Sequence, residues 1–371
     1  MRFIGKGLVG ATVALAVGSA AAQSSVTLYG VADTFFQFLD NGGQKSWSLR
    51  SGGNSGSLFG LKGTENLGGG LSAIFTLENG YNINNGTFLA DSSAMFYRQA
   101  WLGLTHDKYG TLSLGRQYQP TFWVLYPTDP LRANEMLSPL AAASQSVDRN
   151  TMGVQTGGGR SSNAIVYKSP NLLGFQMWAM YALSATVSQP IPQVTGNMLD
   201  VAATYSGYGL YAGLAYQFQH PGSKTFPGLP AALNTVSTKH YTGAVGYRFG
   251  IVNLTFNYAY HQPDDAPANS LAARLNAVHS FSVMEAGATI QATPFDTIEI
   301  AGLQRVVRGV HDNAWGVQLG VDHSLSKRTA LYARAGYIKN NGTATISWPG
   351  ITTNGIDAPQ TLVGVGMTHR F

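Results

Sequence analysis

The chain contains no cysteine, and only 11% of its 371 residues are charged. Ordinary globular proteins carry about 25% charged residues, so this surface is not one that water covers in the usual way. The missing cysteine excludes a disulfide framework, a thiolate metal site and a cysteine nucleophile. Long hydrophobic runs are absent too. The longest, Leu8 to Val17, falls well short of the ~20 residues that a membrane-spanning helix needs. The eight histidines are scattered without metal-ligand spacing, and no Gly-x-Ser-x-Gly elbow occurs. Gly207-Tyr208-Gly209-Leu210-Tyr211-Ala212 fits a loose dinucleotide fingerprint. It reads as a hairpin turn, because no helix follows it. Basic residues do not cluster with aromatics into a nucleic-acid stripe. These absences predict no enzyme activity, no cofactor, no metal and no nucleic-acid partner.

What is present begins with the first 22 residues. Arg2 and Lys6 precede the short apolar stretch, and Ala20-Ala21-Ala22-Gln23 follows it. A basic start, a short apolar core and small residues before a cleavage bond make a secretory leader. Cleavage is expected between Ala22 and Gln23, so that residues 1–22 are removed and 23–371 form one domain. An exported chain low in charge, without a spanning helix, and with 45 glycines fits a transmembrane β-barrel.

The alternation of residue types supports that class. In Val252-Asn253-Leu254-Thr255-Phe256-Asn257-Tyr258-Ala259-Tyr260-His261 the even positions are apolar and the odd ones mostly polar. Strand side chains alternate between two faces. Segments of this kind are expected at 25–39, 46–63, 70–82, 95–106, 110–118, 162–168, 173–184, 197–205, 209–219, 238–248, 252–262, 279–291, 296–307, 313–324, 328–339 and 359–371. Sixteen is an even number, as single-chain outer-membrane barrels require. Tight turns such as Ser169-Pro170-Asn171 alternate with longer loops such as 220–237, 263–278 and 340–358. Residues 119–161 exceed the ~12–15 residues of an ordinary structureless loop. The last strand ends at Phe371 with Phe371, His369, Met367, Val365 and Val363 on one face. A closed barrel pairs that strand with the first, and Val26-Thr27-Leu28-Tyr29 is the expected partner.

Several stretches carry a resemblance. They are Ser25-Val26-Thr27-Leu28-Tyr29-Gly30-Val31, Gly60 to Leu71 (GLKGTENLGGGL), Arg98-Gln99-Ala100-Trp101-Leu102-Gly103-Leu104, Leu114-Gly115-Arg116-Gln117-Tyr118, Ser169-Pro170-Asn171 and His369-Arg370-Phe371. In these the chain resembles the general porins of Gram-negative outer membranes, of the beta-proteobacterial type. The resemblance implies an all-β, 16-stranded antiparallel barrel that assembles as a homotrimer in outer-membrane lipid. It also implies a third loop, here 119–161, folded into the lumen. Such a channel passes small hydrophilic solutes and ions by passive diffusion. Phe371, with His369, would be read by the barrel-assembly machinery.

Face-counting places the charges. Leu71, Ala73, Phe75 and Leu77 facing lipid puts Glu78 in the lumen. Tyr97 and Trp101 outward puts Arg98 inside and Gln99 outside. Ile165 and Tyr167 outward puts Arg160 inside if its strand extends upstream, and the same counting places Lys62, Arg248, Arg334, Asp322 and Arg370 in the lumen. Arg50 is a lumen candidate whose side depends on a bulge at Gly52 and Gly53. Arg98 and Arg160 match wall arginines of similar porins, which face an acidic third loop. That loop offers Asp129, Glu135 and Asp148, of which Asp129 or Glu135 is the expected partner. Leu58 stands where relatives often carry another wall arginine, which thins the basic arc and leaves a weak anion preference.

One strand breaks the pattern. Leu112 and Leu114 outward also puts Arg116 and Tyr118 outward, and an arginine facing lipid at the midplane costs ~2–4 kcal/mol. Either a bulge turns Arg116 inward or a neighbouring subunit covers this wall, and the resemblance to trimeric porins favours the second. Arg116, Gln99 and Asp91 are therefore expected at the trimer interface. Phe122, Trp123, Tyr126 and Leu131 make the start of the long loop aromatic. They pack it against the wall, or else line a substrate-selective channel for aromatic or organic acids. A structural or enzymatic outer-membrane barrel is the remaining alternative.

Overall fold

The computed structural model describes residues 25–146, 148–152, 159–184, 196–224, 233–266, 268, 270–274 and 279–371. The expected leader and its Ala22–Gln23 bond lie outside them. Hydrophobic alternation becomes one large antiparallel sheet. Its first half comprises β1 (Ser25–Asn41), β2 (Gln44–Ser51), β3 (Leu58–Gly68), β4 (Leu71–Gly80), β5 (Gln99–His106), β6 (Gly110–Tyr118), β7 (Arg160–Lys168), β8 (Phe175–Ala182), β9 (Met198–Gly207) and β10 (Leu210–Gln219). A small ribbon, β11 (Gly222–Lys224) and β12 (Leu233–Thr235), stands apart. The second half comprises β13 (Thr238–Phe249), β14 (Val252–Pro263), β15 (Phe281–Gln291), β16 (Asp296–Val307), β17 (Ala314–Ser324), β18 (Thr329–Asn340) and β19 (Gln360–Arg370). The short helices are α1 (Pro120–Leu125), α2 (Pro139–Gln145), α3 (Arg149–Met152) and α4 (Leu271–Arg274).

The sheet closes because β1 pairs with β19 as well as with β2 and β3. Closure removes the open edge that would invite aggregation. The register differs from the expectation. Phe371 exchanges both backbone hydrogen bonds with Gly30 at 3.1 Å, and Val31–Asn41 pairs with Arg370–Gln360. Val26–Tyr29 instead pairs with Gly63–Gly60 of β3. Strands of a closed barrel are staggered by its shear, so the first and last strands meet with their ends offset.

The second expected strand, 46–63, is broken. β2 and β3 both pair with β1, one on each half of its length, so seventeen segments make sixteen staves. The break has a visible cause. The Asp33 carboxylate accepts hydrogen bonds from the amides of Gly53, Asn54 and Ser55 at 2.8, 3.1 and 2.9 Å. Those amides are lost to the ladder, and Gly52 takes the positive φ of 87° that the turn requires.

Outward faces form the apolar belt. Leu102, Leu114, Leu214 and Val365 are more than half exposed, while inward neighbours such as Gln37, Asn257, Gln318 and Thr368 are buried. The expected faces of β14 and β19 agree with this pattern, and those of β4 agree through its register, with Ala73 and Phe75 opposite exposed Leu104 and Leu102. β5 does not. Leu102 and Leu104 are exposed, so Trp101 and Gln99 share the inward face of Glu78, Gln99's register partner. Gln99 accepts a 3.1 Å hydrogen bond from the Trp101 indole. Gln99 therefore does not join Arg116 on the outer wall.

The interior is filled from two loops. In α1, Val124 is fully buried with Trp178, Ala202, Ala215 and Ala244 of β8, β9, β10 and β13. Farther along, Leu137, Leu140, Ala142 and Ala143 pack with Phe35, Phe281, Leu303 and Tyr332. Ile346 and Trp348, after β18, are buried in the same cluster. Val124 and the residues from Leu137 to Ala143 thus pack against different sets of strands.

Candidate functional site: a charged cluster between the wall and the long loop

Arg98 reaches the interior through an irregularity rather than through alternation. Its amide donates to the Glu78 carbonyl, although Gln99 is already Glu78's register partner. Arg98 lies in the bend before β5, outside the ladder, so strand alternation does not set its side. A bulge lies between Gly115 and Gln117, opposite Ser161 to Ala164. Its extra residue is in β7, whose faces shift by one, while β6 keeps Ser113 and Gln117 on one buried face. Arg116 stays outward, while Tyr118, expected outside, meets Arg98 and Arg160.

The resulting cluster is continuous. Arg98 Nε donates to Glu78 at 2.7 Å and Nη1 to Glu135 at 2.6 Å. Arg160 Nη2 pairs with the other Glu135 oxygen. The Tyr118 hydroxyl accepts from Arg98 at 3.1 Å and from Arg160 at 2.5 Å. Tyr29 donates to the second Glu78 oxygen at 2.9 Å. Both arginine side chains are under 10% exposed, whereas Glu135 keeps 25%. Burial opposes ionisation of Glu135, but Arg98 and Arg160 outweigh it and hold its pKa at about 2. Two cations and two carboxylates leave the cluster close to neutral.

Asp129 is not part of it. Its carboxylate accepts from the amides of Leu131 and Ala133 at 2.8 and 2.9 Å and from Ser138 at 2.6 Å. It organises its own loop instead of facing the arginines. Burial raises its pKa and those hydrogen bonds only partly offset the rise. Ser138 also caps α2 by accepting from the Ala141 amide, an arrangement usually worth ~1 kcal/mol.

Arg50 points inward above Phe35 and is held by Gln37 Oε1 at 3.1 Å and the Pro349 carbonyl at 2.8 Å. Lys62 lies on Glu78's side of the wall, over the Tyr29 ring at 5.4 Å. Arg116 donates to the Tyr97 carbonyl and, at 2.9 Å, to the Ser162 hydroxyl. Asp91 is exposed and accepts from Ser93, which lowers its pKa.

Sequence reasoning missed Arg305, whose guanidinium grips Asp148 through two hydrogen bonds of 2.7 and 3.0 Å with both side chains fully buried. It also missed Arg132, exposed at a positive φ of 52° in the long loop. Face-counting was enough to find Arg305, because Leu303 and Val307 share its buried face. Nothing periodic marks Arg132.

A closed sixteen-stave barrel with an apolar outside and a charged, polar inside is a membrane-spanning channel. A family model for Gram-negative porins matches residues 10–343, and the chain belongs to that family. It is 30% identical over 382 residues to outer membrane porin protein 32 of Delftia acidovorans, with 99% of each chain covered. An outer membrane porin protein of Bordetella pertussis is 26% identical, over 98% of this chain and 99% of the relative. The solved structure of the anion-selective porin from Comamonas acidovorans aligns with a TM-score of 0.77 at 26% identity, covering 94% of this chain and all of that one. The protein is a porin of a Gram-negative outer membrane and works as a passive channel.

Proposed function

We propose that small hydrophilic solutes and ions cross this porin through a lumen narrowed by residues 119–161, with a weak preference for anions. The carrying observation is Glu135. It is borne by the long loop and bridges Arg98 and Arg160 on the wall, so the loop and the charged wall meet at one place. Charges of opposite sign across a narrow aqueous gap orient water and polar solutes. Two unit charges ~4 Å apart attract by about 4 kcal/mol at an effective dielectric of 20. An apolar solute gains nothing from that field and has to displace the oriented water.

The anion preference rests on which charges face water. Lys62 and Arg132 are exposed and have no ion pair among the described residues. Asp129, Asp200 and Glu285 are buried and contribute little to the field in the lumen. The Comamonas relative, described as anion-selective, points the same way. Arg98→Ala and Arg160→Ala are expected to shift reversal potentials in planar bilayers toward cations. Unchanged potentials in both variants remove these residues from the selectivity site.

The assembly is read as a homotrimer. Arg116 sits on the outward face of β6, where lipid is a poor solvent for it, and Asp91 is exposed in the loop before β5. The interface reading therefore keeps Arg116 and Asp91 and drops Gln99. Phe371 and His369, at the closing seam, are assigned to recognition by the barrel-assembly machinery. Deleting Phe371 is expected to lower the yield of heat-resistant trimer in the outer membrane, and an unaltered yield excludes that role.

A further inference from the structure

The long loop opens with four aromatic side chains, Tyr118, Phe122, Trp123 and Tyr126, in mutual contact. Tyr118 and Phe122 stack with centroids 4.1 Å apart, and Trp123 meets Tyr118, Phe122 and Tyr126 at 5.5, 5.3 and 6.4 Å. Aromatic side chains in such a place usually pin a loop to the wall. Here other groups do that. Val124 supplies the buried contact, Thr121 bonds the Asp200 carboxylate at 2.9 Å, and the Tyr211 hydroxyl bonds the Trp123 and Val124 carbonyls at 3.0 Å. Trp123 belongs to none of the buried clusters and remains 38% exposed. Because α1 lies against the inner face of β9, β10 and β13, the side it leaves uncovered looks across the lumen. An indole left open to water forgoes burial of apolar surface, so a partner that covers it gains that burial.

The cation beside this platform is Arg160, which Glu135 also holds. The Arg160 guanidinium lies 4.4 Å from the centroid of the Tyr118 ring. Arg160 is nine-tenths buried, and its Nε has no hydrogen-bond partner. An exposed indole one ring away from a guanidinium matches a planar ring carrying a negative group. We infer that Trp123 and its aromatic neighbours form a binding station for aromatic carboxylates, whose ring stacks on the indole while the carboxylate lies toward Arg160. This rests on the reading of residues 119–161 as the narrow part of the lumen, and it adds the class of solute to that reading. Permeation then includes a weakly bound stop, so flux saturates for these solutes and not for acetate.

The test uses the trimer in planar bilayers, with benzoate as probe and cyclohexanecarboxylate and acetate as controls of equal charge. Benzoate is expected to reduce KCl current saturably, with a half-blocking concentration well below that of cyclohexanecarboxylate. Trp123→Leu should raise the benzoate value about two- to tenfold, the size of one aromatic pair, and Trp123→Tyr should restore most of it. Heat-resistant trimers and open channels in KCl establish that each variant is assembled. Equal block by benzoate and cyclohexanecarboxylate, no saturable block by benzoate, or a Trp123→Leu channel blocked like the wild type overturns the inference. The comparison of two equally charged probes is independent of reversal potentials. Failure of the aromatic station is therefore distinct from failure of Arg98 and Arg160 as selectivity residues.

Discussion

Among the described residues, ion pairs tie the long loop to the barrel at two places, and the two are built differently. At one, Glu135 reaches Arg98 and Arg160 and keeps 25% of its side chain open. At the other, Asp148 and Arg305 are sealed, with exposures of 1% and 0%, and Arg305 lies over the Phe281 ring at 5.1 Å. The chemistry is the same and the solvent is not. A sealed pair acts only on the protein, because neither charge projects a field into the pore. A pair at the water's edge also acts on whatever passes. On the proposed reading, the arginines in this loop's surroundings divide into an anchor and a filter.

The largest effect expected from this contrast is on stability. Arg305→Ala leaves Asp148 buried and unpaired, which should cost about 3–5 kcal/mol and lower the heat resistance of the trimer on semi-native gels. Arg305→Met combined with Asp148→Leu should recover most of it. If Arg305→Ala shifts the reversal potential while the trimer stays heat-stable, the anchor is a filter after all.

Arg116 tests the opposite face of the wall that holds Arg160. Covered by a neighbouring subunit, its hydrogen bonds are worth about 1.5–3 kcal/mol, and Arg116→Ala lowers the trimer's melting temperature with single-channel conductance unchanged. Facing lipid, the arginine is itself a cost of ~2–4 kcal/mol, and the same substitution raises the melting temperature. The sign of the shift distinguishes the two cases.

The smallest effect concerns pH. Glu135 is held at about 2, below its ordinary value, so the stability it contributes is present above the usual glutamate pKa and lost only as pH falls through 2. Selectivity due to Glu135 should therefore be flat between pH 7 and 4 in bilayer recordings. Glu135→Gln imitates the protonated form and should shift the reversal potential toward anions at neutral pH. A titration of selectivity near pH 4.5 that disappears in Glu135→Gln contradicts the paired geometry.

Much of this was legible before any coordinates. Alternation in β14 and β19 assigned both faces of those strands, and Glu78 was placed inward from Leu71, Ala73, Phe75 and Leu77 alone. The errors occur where the repeat of two is interrupted. Trp101 and Gln99 were misplaced because counting ran straight from Tyr97 through the bend before β5, and Tyr118 because it ends β6, where the chain turns toward α1. Arg98, which counting put beside Glu78, does meet it, but from the bend before β5 and not from a strand position.

Sequence by itself determined the fold class, the sixteen staves and the charge types available, since each depends on composition or a local period. The tertiary structure alone decided which acid the arginines meet. Asp129 and Glu135 are six residues apart on a segment with no period, and the amides of Leu131 and Ala133 claim one of them. It also decided the seam, where shear sets Phe371 against Gly30. A strand's faces follow from its own residues, whereas a loop's path follows from everything it touches.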